Sequence, residues 1–458
     1  MVSTKTGFGS KIGSNSPGTE DHLVRKGPRF ESGRGLRTQV EARLTGCSIL
    51  CWLVSGCSAS RTFLVLVSFL LTACSTPAGT LGTSTGSRIH NDLTGMACPS
   101  ISFCFAVGNT YENGASGYAN YRTLIERWNG SSWFIVNSPD GAKQDSHLAK
   151  VSCPTSSLCF AVGYDGPYTP NGHVLIERWN GSIWSIVDTP KISGAANSLL
   201  RDIACVSSSF CFAVGQYVPP AGNGGGLIER WDGSSWTVMP DVHEGVLFAV
   251  GCATRTLCFA VGDYYVFGGS GEVDHTLTER WDGALWKVVE SPDPKSPSQL
   301  EGLTCISTSH CFASGYLGNG QHPDAPMIEA WDGSTWAILI APQPSEQVDP
   351  AQIDDRLISV SCASRSLCFS VGWHRWTPPG TIHSQTLVER WSGTSWTIVR
   401  SPNGSPSPGV NNGLEAVACP NTSRCLAIGH YDGPDGFFQT LAEQSNGASW
   451  SIVPSANR

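Results

Sequence analysis

Fourteen of the chain's eighteen cysteines fall into seven pairs with five residues between partners: Cys98/Cys104, Cys153/Cys159, Cys205/Cys211, Cys252/Cys258, Cys305/Cys311, Cys362/Cys368 and Cys419/Cys425. From Cys98 to Cys419 is 321 residues over six intervals, a mean repeat of 53.5, with single intervals running from 47 to 57. A period of this size implies one supersecondary unit per repeat, stacked so that neighbours cover each other's apolar faces. The repeat core is fixed and its loops vary.

Each repeat carries four strand-like runs. In the second, Leu148-Ala-Lys-Val-Ser-Cys153 alternates, Cys159-Phe-Ala-Val-Gly163 is short and apolar, and Val174-Leu-Ile-Glu-Arg-Trp179 leads through Asn180-Gly181 to Ser182-Ile-Trp-Ser-Ile-Val187. Asn-Gly or Asp-Gly between such runs predicts a two-residue type I′ hairpin, whose central residues need positive φ. The turn recurs at Asn129-Gly130, Asp232-Gly233, Asp282-Gly283, Asp332-Gly333 and Asn446-Gly447, with Ser392-Gly393 as a variant. Four strands in each of seven units predict an all-β, seven-bladed propeller over residues 88–458, whose closed ring leaves no long free edges. Composition agrees: 14% charged residues with 51 Gly and 28 Pro suits turn-rich β structure.

Tryptophan marks two positions. It ends the third run at Trp128, Trp179, Trp231, Trp281, Trp331 and Trp391 (Ser445 breaks the series) and opens the fourth at Trp133, Trp184, Trp236, Trp286, Trp336, Trp396 and Trp450. Thirteen of sixteen Trp are thus periodic, which points to packing between blades. Each third run also has a glutamate (Glu126, Glu177, Glu229, Glu279, Glu329, Glu389, Glu443), followed by Arg at Arg127, Arg178, Arg230, Arg280 and Arg390. Seven equivalent carboxylates are not a catalytic set. They predict a ring of interblade ion pairs.

Cys-Phe-Ala-Val-Gly, a variable loop, Glu-Arg-Trp-Asp-Gly-Ser-Ser-Trp and a closing Ser-Pro together resemble kelch-type blades over residues 93–454. The chain departs from that pattern in having one Gly where the family has a pair and a shorter turn before the last Trp. The Asp-Gly-x-x-Trp turn is similar to the Asp-box of sialidase-like propellers, but one residue short, so no sialidase residue is carried over.

Cysteines facing each other across the first hairpin lie within disulfide range. Seven intrablade bridges are expected, each contributing on the order of 2 kcal/mol by the chain-entropy account. Zinc and reduced core thiols are the alternatives; zinc pairs have two to four intervening residues and a second pair nearby, so no metal is expected.

The export reading comes from the N-terminal region. Residues 1–61 hold nine Lys/Arg against four Asp/Glu, a balance of +5 within a chain of net charge −8, and show no apolar periodicity. They read as disordered. Thr62–Ala73 is a short apolar run, too short to span a bilayer comfortably. With Leu71-Thr72-Ala73-Cys74 the segment 62–74 resembles a bacterial lipoprotein signal, which implies lipid on Cys74 and an outer-leaflet anchor; an ordinary buried strand is the alternative. Residues 75–87 read as a flexible tether. Sixty residues ahead of a signal are anomalous, and no Met lies between Met1 and Met96, so the expected start is downstream, at a codon such as that of Val54.

Function is less legible. An acidic chain is a poor nucleic-acid binder. It contains no Gly-rich phosphate loop, no unique catalytic carboxylate pair and no His cluster with ligand spacing, and no cofactor is expected. Loops between strands two and three and between blades are long and variable, and function gathers on such loops. Their candidates for ligand binding are Tyr164, Tyr217, Tyr264, Tyr316, Trp373, His374, Trp376, His430 and Tyr431, with Tyr111, Tyr168, Tyr265 and His322 nearby. Trp373-His374-Arg375-Trp376 is the outlying segment, suited to a sugar ring or an anionic group. Packing of these aromatics on their own rim is the alternative. The expected role is a monomeric binding module for a protein, peptide or glycan. The rival is a propeller enzyme acting on glycans, favoured if an acid or Arg unique to one blade points into the central funnel.

Overall fold

The structure, a computed structural model, describes residues 89–458 except 114–118, 142–144, 167–171, 222–223, 241–243, 269–270, 293, 295–296, 319–323, 345–352, 378–382 and 408. The expected signal, Cys74 and the tether lie outside the described residues, as do Tyr168, His322 and the side chain of Tyr265.

Seven antiparallel sheets of four strands follow one another along the chain, each built from four consecutive strands, with no helix among the described residues. The protein is a seven-bladed β-propeller. Blade 1 comprises Ile89–Ser100, Phe103–Asn113, Ala119–Trp128 and Trp133–Val136; blade 7 ends with Trp450–Ile452. Among the described residues no strand is exchanged to close the ring.

The core is seven clusters rather than one, each shared by two neighbouring blades. In five of them the phenylalanine of the second strand is set against the next blade's tryptophan pair. Phe105 lies 5.1 and 4.9 Å from Trp179 and Trp184, and Phe212 lies 5.1 and 4.9 Å from Trp281 and Trp286. Edge-on aromatic pairs of this kind add about 1 kcal/mol beyond the area they bury. The third-strand indoles also donate to carbonyls of their own first turn, as Trp128 Nε1 does to Ile101 O at 3.1 Å. The periodic tryptophans are therefore interblade packing, as their spacing predicts.

All seven cysteine pairs are bridged within their blades, with Cα–Cα distances of 3.9 to 4.2 Å. The expected bridge across the first turn is present in every blade, and its two ends differ in depth. The second-strand partners Cys104, Cys159, Cys211, Cys258, Cys311, Cys368 and Cys425 are buried, none more than 2% exposed, and belong to the interblade clusters. The first-strand partners Cys98, Cys153, Cys205, Cys252, Cys305, Cys362 and Cys419 are only partly buried against the same clusters. The cause is strand order. The second strand is flanked by the first and third, so Cys211 faces both Cys205 and Trp231, whereas the first strand is the inner edge of its sheet. The seven second-strand cysteines are thus core residues as well as bridge ends. Peptide mapping without reductant is expected to recover seven local disulfide peptides between Cys98 and Cys425. Free thiols at most of these positions, or bridges between blades, would contradict the fold's redox chemistry.

Two further expectations fail. The Asn/Asp-Gly turns are not two-residue type I′ hairpins: Trp128 pairs with Trp133, leaving four residues in the turn. Gly130 takes φ of 101° while Asn129 does not enter the positive-φ region. Instead Asn129 Oδ1 accepts from the amides of Ser131 and Ser132 at 2.9 and 3.0 Å, so a side chain closes the turn. Nor do the third-strand glutamates and arginines pair in a ring. Adjacent strand residues face opposite ways. The glutamates are fully buried, and four of them accept from serines after the preceding blade's last strand: Ser138 to Glu177 (3.0 Å), Ser291 to Glu329 (2.6 Å), Ser401 to Glu443 (2.7 Å), and Ser455 to Glu126 (2.9 Å) across the ring closure. Four of the five arginines lie over aromatic rings, such as Arg230 at 5.7 Å from the next blade's Trp281.

Candidate functional site

The site begins with the single glycine that ends the apolar part of each second strand. A Cβ on Gly163 would come within 1.9 Å of His147 O, and one on Gly372 within 1.9 Å of Arg356 O. The first strand passes that close because it bulges: Leu148 pairs with Gly163 and Lys150 with Val162, leaving Ala149 unpaired. The same irregularity follows Leu93, Leu200, Leu247, Leu300, Leu357 and Leu414. A bulge re-aims one side chain per strand. Here the seven unpaired residues are Thr94, Ala149, Arg201, Phe248, Glu301, Ile358 and Glu415, and all seven line one cavity of 240 Å³ at the long-loop end of the central channel.

Asn109, His147 and Tyr164 complete its wall. A second cavity, of 280 Å³, occupies the short-turn end, and Lys150 lines both. Lys150 Nζ donates to Thr94 O at 2.9 Å and to Glu415 O at 3.2 Å, reaching from blade 2 across blade 1 to blade 7. Burial depresses its pKa, while Asp202 opposes the fall. Asp202 Oδ2 accepts from Val250 N at 2.8 Å, and burial pushes its carboxyl up to about 6.

The cationic groups of the mouth are held by neighbours. Arg201 Nη2 donates to Gln216 Oε1 at 3.1 Å and its guanidinium lies 4.5 Å from the Phe248 ring. Arg356 binds Asp354 through Nε at 2.8 Å and Asp324 through Nη2 at 2.6 Å, and stacks 4.0 Å over Tyr316. His430 Nδ1 lies 3.0 Å from Asp92 Oδ1. Burial opposes its charging, but Asp92 and Glu415 outweigh burial and raise its pKa to about 9. Burial raises Glu301 to about 7 and Glu415 likewise upward.

The nine candidates sit within second strands, not in loops, because those strands run past the glycine: Trp373, His374 and Trp376 belong to Leu367–Trp376, and His430 and Tyr431 to Arg424–Asp432. Tyr164 lines the 240 Å³ cavity and stacks on His147 at 4.4 Å. Trp373 packs beside Gly413 of the next blade, 3.7 Å from where a Cβ would stand. Trp376 lies between His374 and His383 at 4.8 and 5.1 Å, and His374 is buried and paired with Asp355. Tyr316 is covered by Arg356, His430 by Asp92, and Tyr264 stacks on His275 at 5.4 Å. Tyr431 is partly buried against the blade 6–7 cluster, and Tyr217 is half-buried at the end of its strand.

The sequence reading missed Arg201, Phe248, Glu301 and Glu415. Their signal was present: each follows the leucine found at the same place in every repeat, and this adjacent position differs from blade to blade.

No family model matches the chain, and no curated protein does. Among solved structures it is similar to YCF48 bound to D1 peptide, at 12% identity and TM-score 0.44, covering 74% of this chain and 90% of that one. It is also similar to the α-L-arabinofuranosidase Arb93A of Fusarium graminearum, at 10% identity and TM-score 0.40, covering 68% and 93%. A Mycobacterium tuberculosis puromycin-hydrolysing peptidase matches at 8% identity and TM-score 0.44, covering 79% of this chain and 52% of that one. No residue is carried across from any of them.

Proposed function

We propose that this propeller is an exported binding module that takes a peptide or glycan at the long-loop mouth of its channel. One observation carries the reading. The repeated side chains are consumed by interblade packing, whereas the seven bulge residues are of five chemical kinds and converge on one cavity of 240 Å³. A symmetric scaffold thereby acquires an asymmetric, partly apolar site with a few polar groups, the usual character of a ligand pocket. Tyr164 forms part of the wall in this reading, and the other candidates on blades 3–7 form the outer rim. A peptide and glycan array probed with the protein tests it: hits competed by one another and weakened by Tyr164→Ala support the mouth as the site, and an array without hits overturns it.

A second reading, a glycan-acting enzyme, is favoured by Arg201, which one blade alone has at the bulge, and by Glu301 and Glu415, which two blades have there; all three line the cavity. Cleavage of an array hit, lost in Glu301→Gln, would establish it.

The kelch-like blade relationship, the signal at 62–74, the tether at 75–87 and the lipid on Cys74 belong to the same proposal. Seven disulfides support an oxidising, extracytoplasmic setting. Metabolic labelling with fatty acid is expected to mark the wild-type protein in the membrane fraction. A Cys74→Ala variant that labels and fractionates identically would remove the anchor from the account.

A further inference from the structure

Glu301 and Glu415 are the two acidic bulge residues, and each meets a cation only at long distance among the described residues. Neither carboxylate takes part in a hydrogen bond among the described residues, although each is largely buried, with 15% and 18% of its side chain exposed. The nearest cationic atoms stand off: Arg356 Nη1 is 3.8 Å from Glu301, and His430 Nδ1 is 3.9 Å from Glu415. Both cations make shorter contacts elsewhere, Arg356 to Asp324 and Asp354 and His430 to Asp92. The other two cations of the wall are also engaged: Lys150 donates to two backbone carbonyls, and Arg201 donates to Gln216 Oε1. Two acceptors that face one cavity and accept no hydrogen bond among the described residues can take a donor from outside the chain.

The rest of the wall narrows the chemistry. Tyr164, His147 and Phe248 present rings to the same space, and a cation held among carboxylates and aromatic faces gains from both. Resting on the reading of the channel mouth as a ligand site, we propose that Glu301 and Glu415 recognise a primary ammonium group, carried into the cavity by an amino sugar or by a lysine side chain. Such a group supplies three N–H donors. It also offsets the burial that displaces both carboxyls upward, to which the charge of Glu415 adds at Glu301.

Titration calorimetry at pH 8 on the full protein with two matched probe pairs tests this. A glucosamine tetramer is set against its fully N-acetylated counterpart, and the peptide acetyl-Gly-Lys-Gly-amide against the same peptide with norleucine. The proposal expects at least one ammonium probe to bind tenfold or more tightly than its neutral partner, and the arm that does so identifies the source. Glu301→Gln and Glu415→Gln are each expected to reduce that preference about tenfold. The wild-type comparison stands even if a variant fails to fold. Equal binding within both pairs, or no binding by either ammonium probe, overturns the proposal, as does a preference that survives in a folded Glu301→Gln/Glu415→Gln protein. Neutral array ligands weakened by Tyr164→Ala would leave the binding reading standing while the ammonium assignment falls.

Discussion

Raising the pH from 5 to 9 is expected to destabilise the propeller steeply. Burial lifts the carboxyl of Glu126 to about 7 and those of Glu177, Glu229, Glu389 and Glu443 to about 8. Each is a folded-state value above that of the unfolded chain, so the folded protein holds the proton longer. The resulting stability is fully present below about 4.5 and is lost as pH climbs through about 7 to 8. At about 1.4 kcal/mol per unit, one such glutamate accounts for on the order of 4 kcal/mol, a large part of a domain's usual margin. Glu229 isolates the effect, because neither of its carboxylate oxygens finds a hydrogen-bond donor among the described residues. Melting curves across this range should show the wild type falling and Glu229→Gln falling less, with the variant the more stable protein at pH 9. A wild-type melting temperature that rises from pH 5 to 9 would show that these glutamates are charged in the fold.

Removing the last five residues, Pro454–Arg458, is expected to open the ring. Trp133 N loses Pro454 O, at 3.5 Å, and Arg458 N no longer donates to Asn91 Oδ1, at 2.9 Å. Thr440 loses the Asn457 side chain that accepts from its amide at 2.8 Å. Most costly is Glu126, a buried carboxyl left without Ser455 Oγ at 2.9 Å and Ala456 N at 3.3 Å. Unsatisfied buried groups cost about 1–3 kcal/mol each, so the deletion should remove on the order of 4 kcal/mol and lower the melting temperature by about 5 °C. Ser455→Ala alone should cost a fraction of that. An unchanged melting temperature after the deletion would place the closure elsewhere.

The architecture was legible because repetition multiplies weak signals. One Asn-Gly or one Trp decides little, but seven copies in register specify strand count, blade count and packing partner. Chemistry that depends on direction was less accessible. Glu and Arg adjacent in every third strand look like ion-pair partners in one dimension, yet pleating sends Glu126 inward to Ser455 and leaves Arg127 over Phe103 at 4.6 Å. Cysteine spacing marked the bridges but not their depth: Cys104 and Cys368 are fully buried because the second strand is interior to its sheet. The turn glycines were read correctly as punctuation, but the side-chain acceptor of Asn129 replaced the second positive-φ residue. The site suffered most. Aromatics after the second-strand glycine drew notice because they are large, whereas the cavity wall comes from first-strand bulges that only the close approach at that glycine reveals.

The account's central claim is that the seven bulge positions, not the repeated surface, form the binding site. Titrating an array-selected ligand into wild-type, Phe248→Ala and Arg365→Ala proteins tests it most directly. Phe248 lies in the cavity wall, and Arg365 is exposed at a first-hairpin turn, donating to Ser307 Oγ at 3.2 Å. The account predicts a loss of affinity of about tenfold or more for Phe248→Ala, in line with removing a buried aromatic anchor, and no change for Arg365→Ala. Unchanged affinity in a folded Phe248→Ala protein, with binding lost on substitution at the short-turn face, would contradict it.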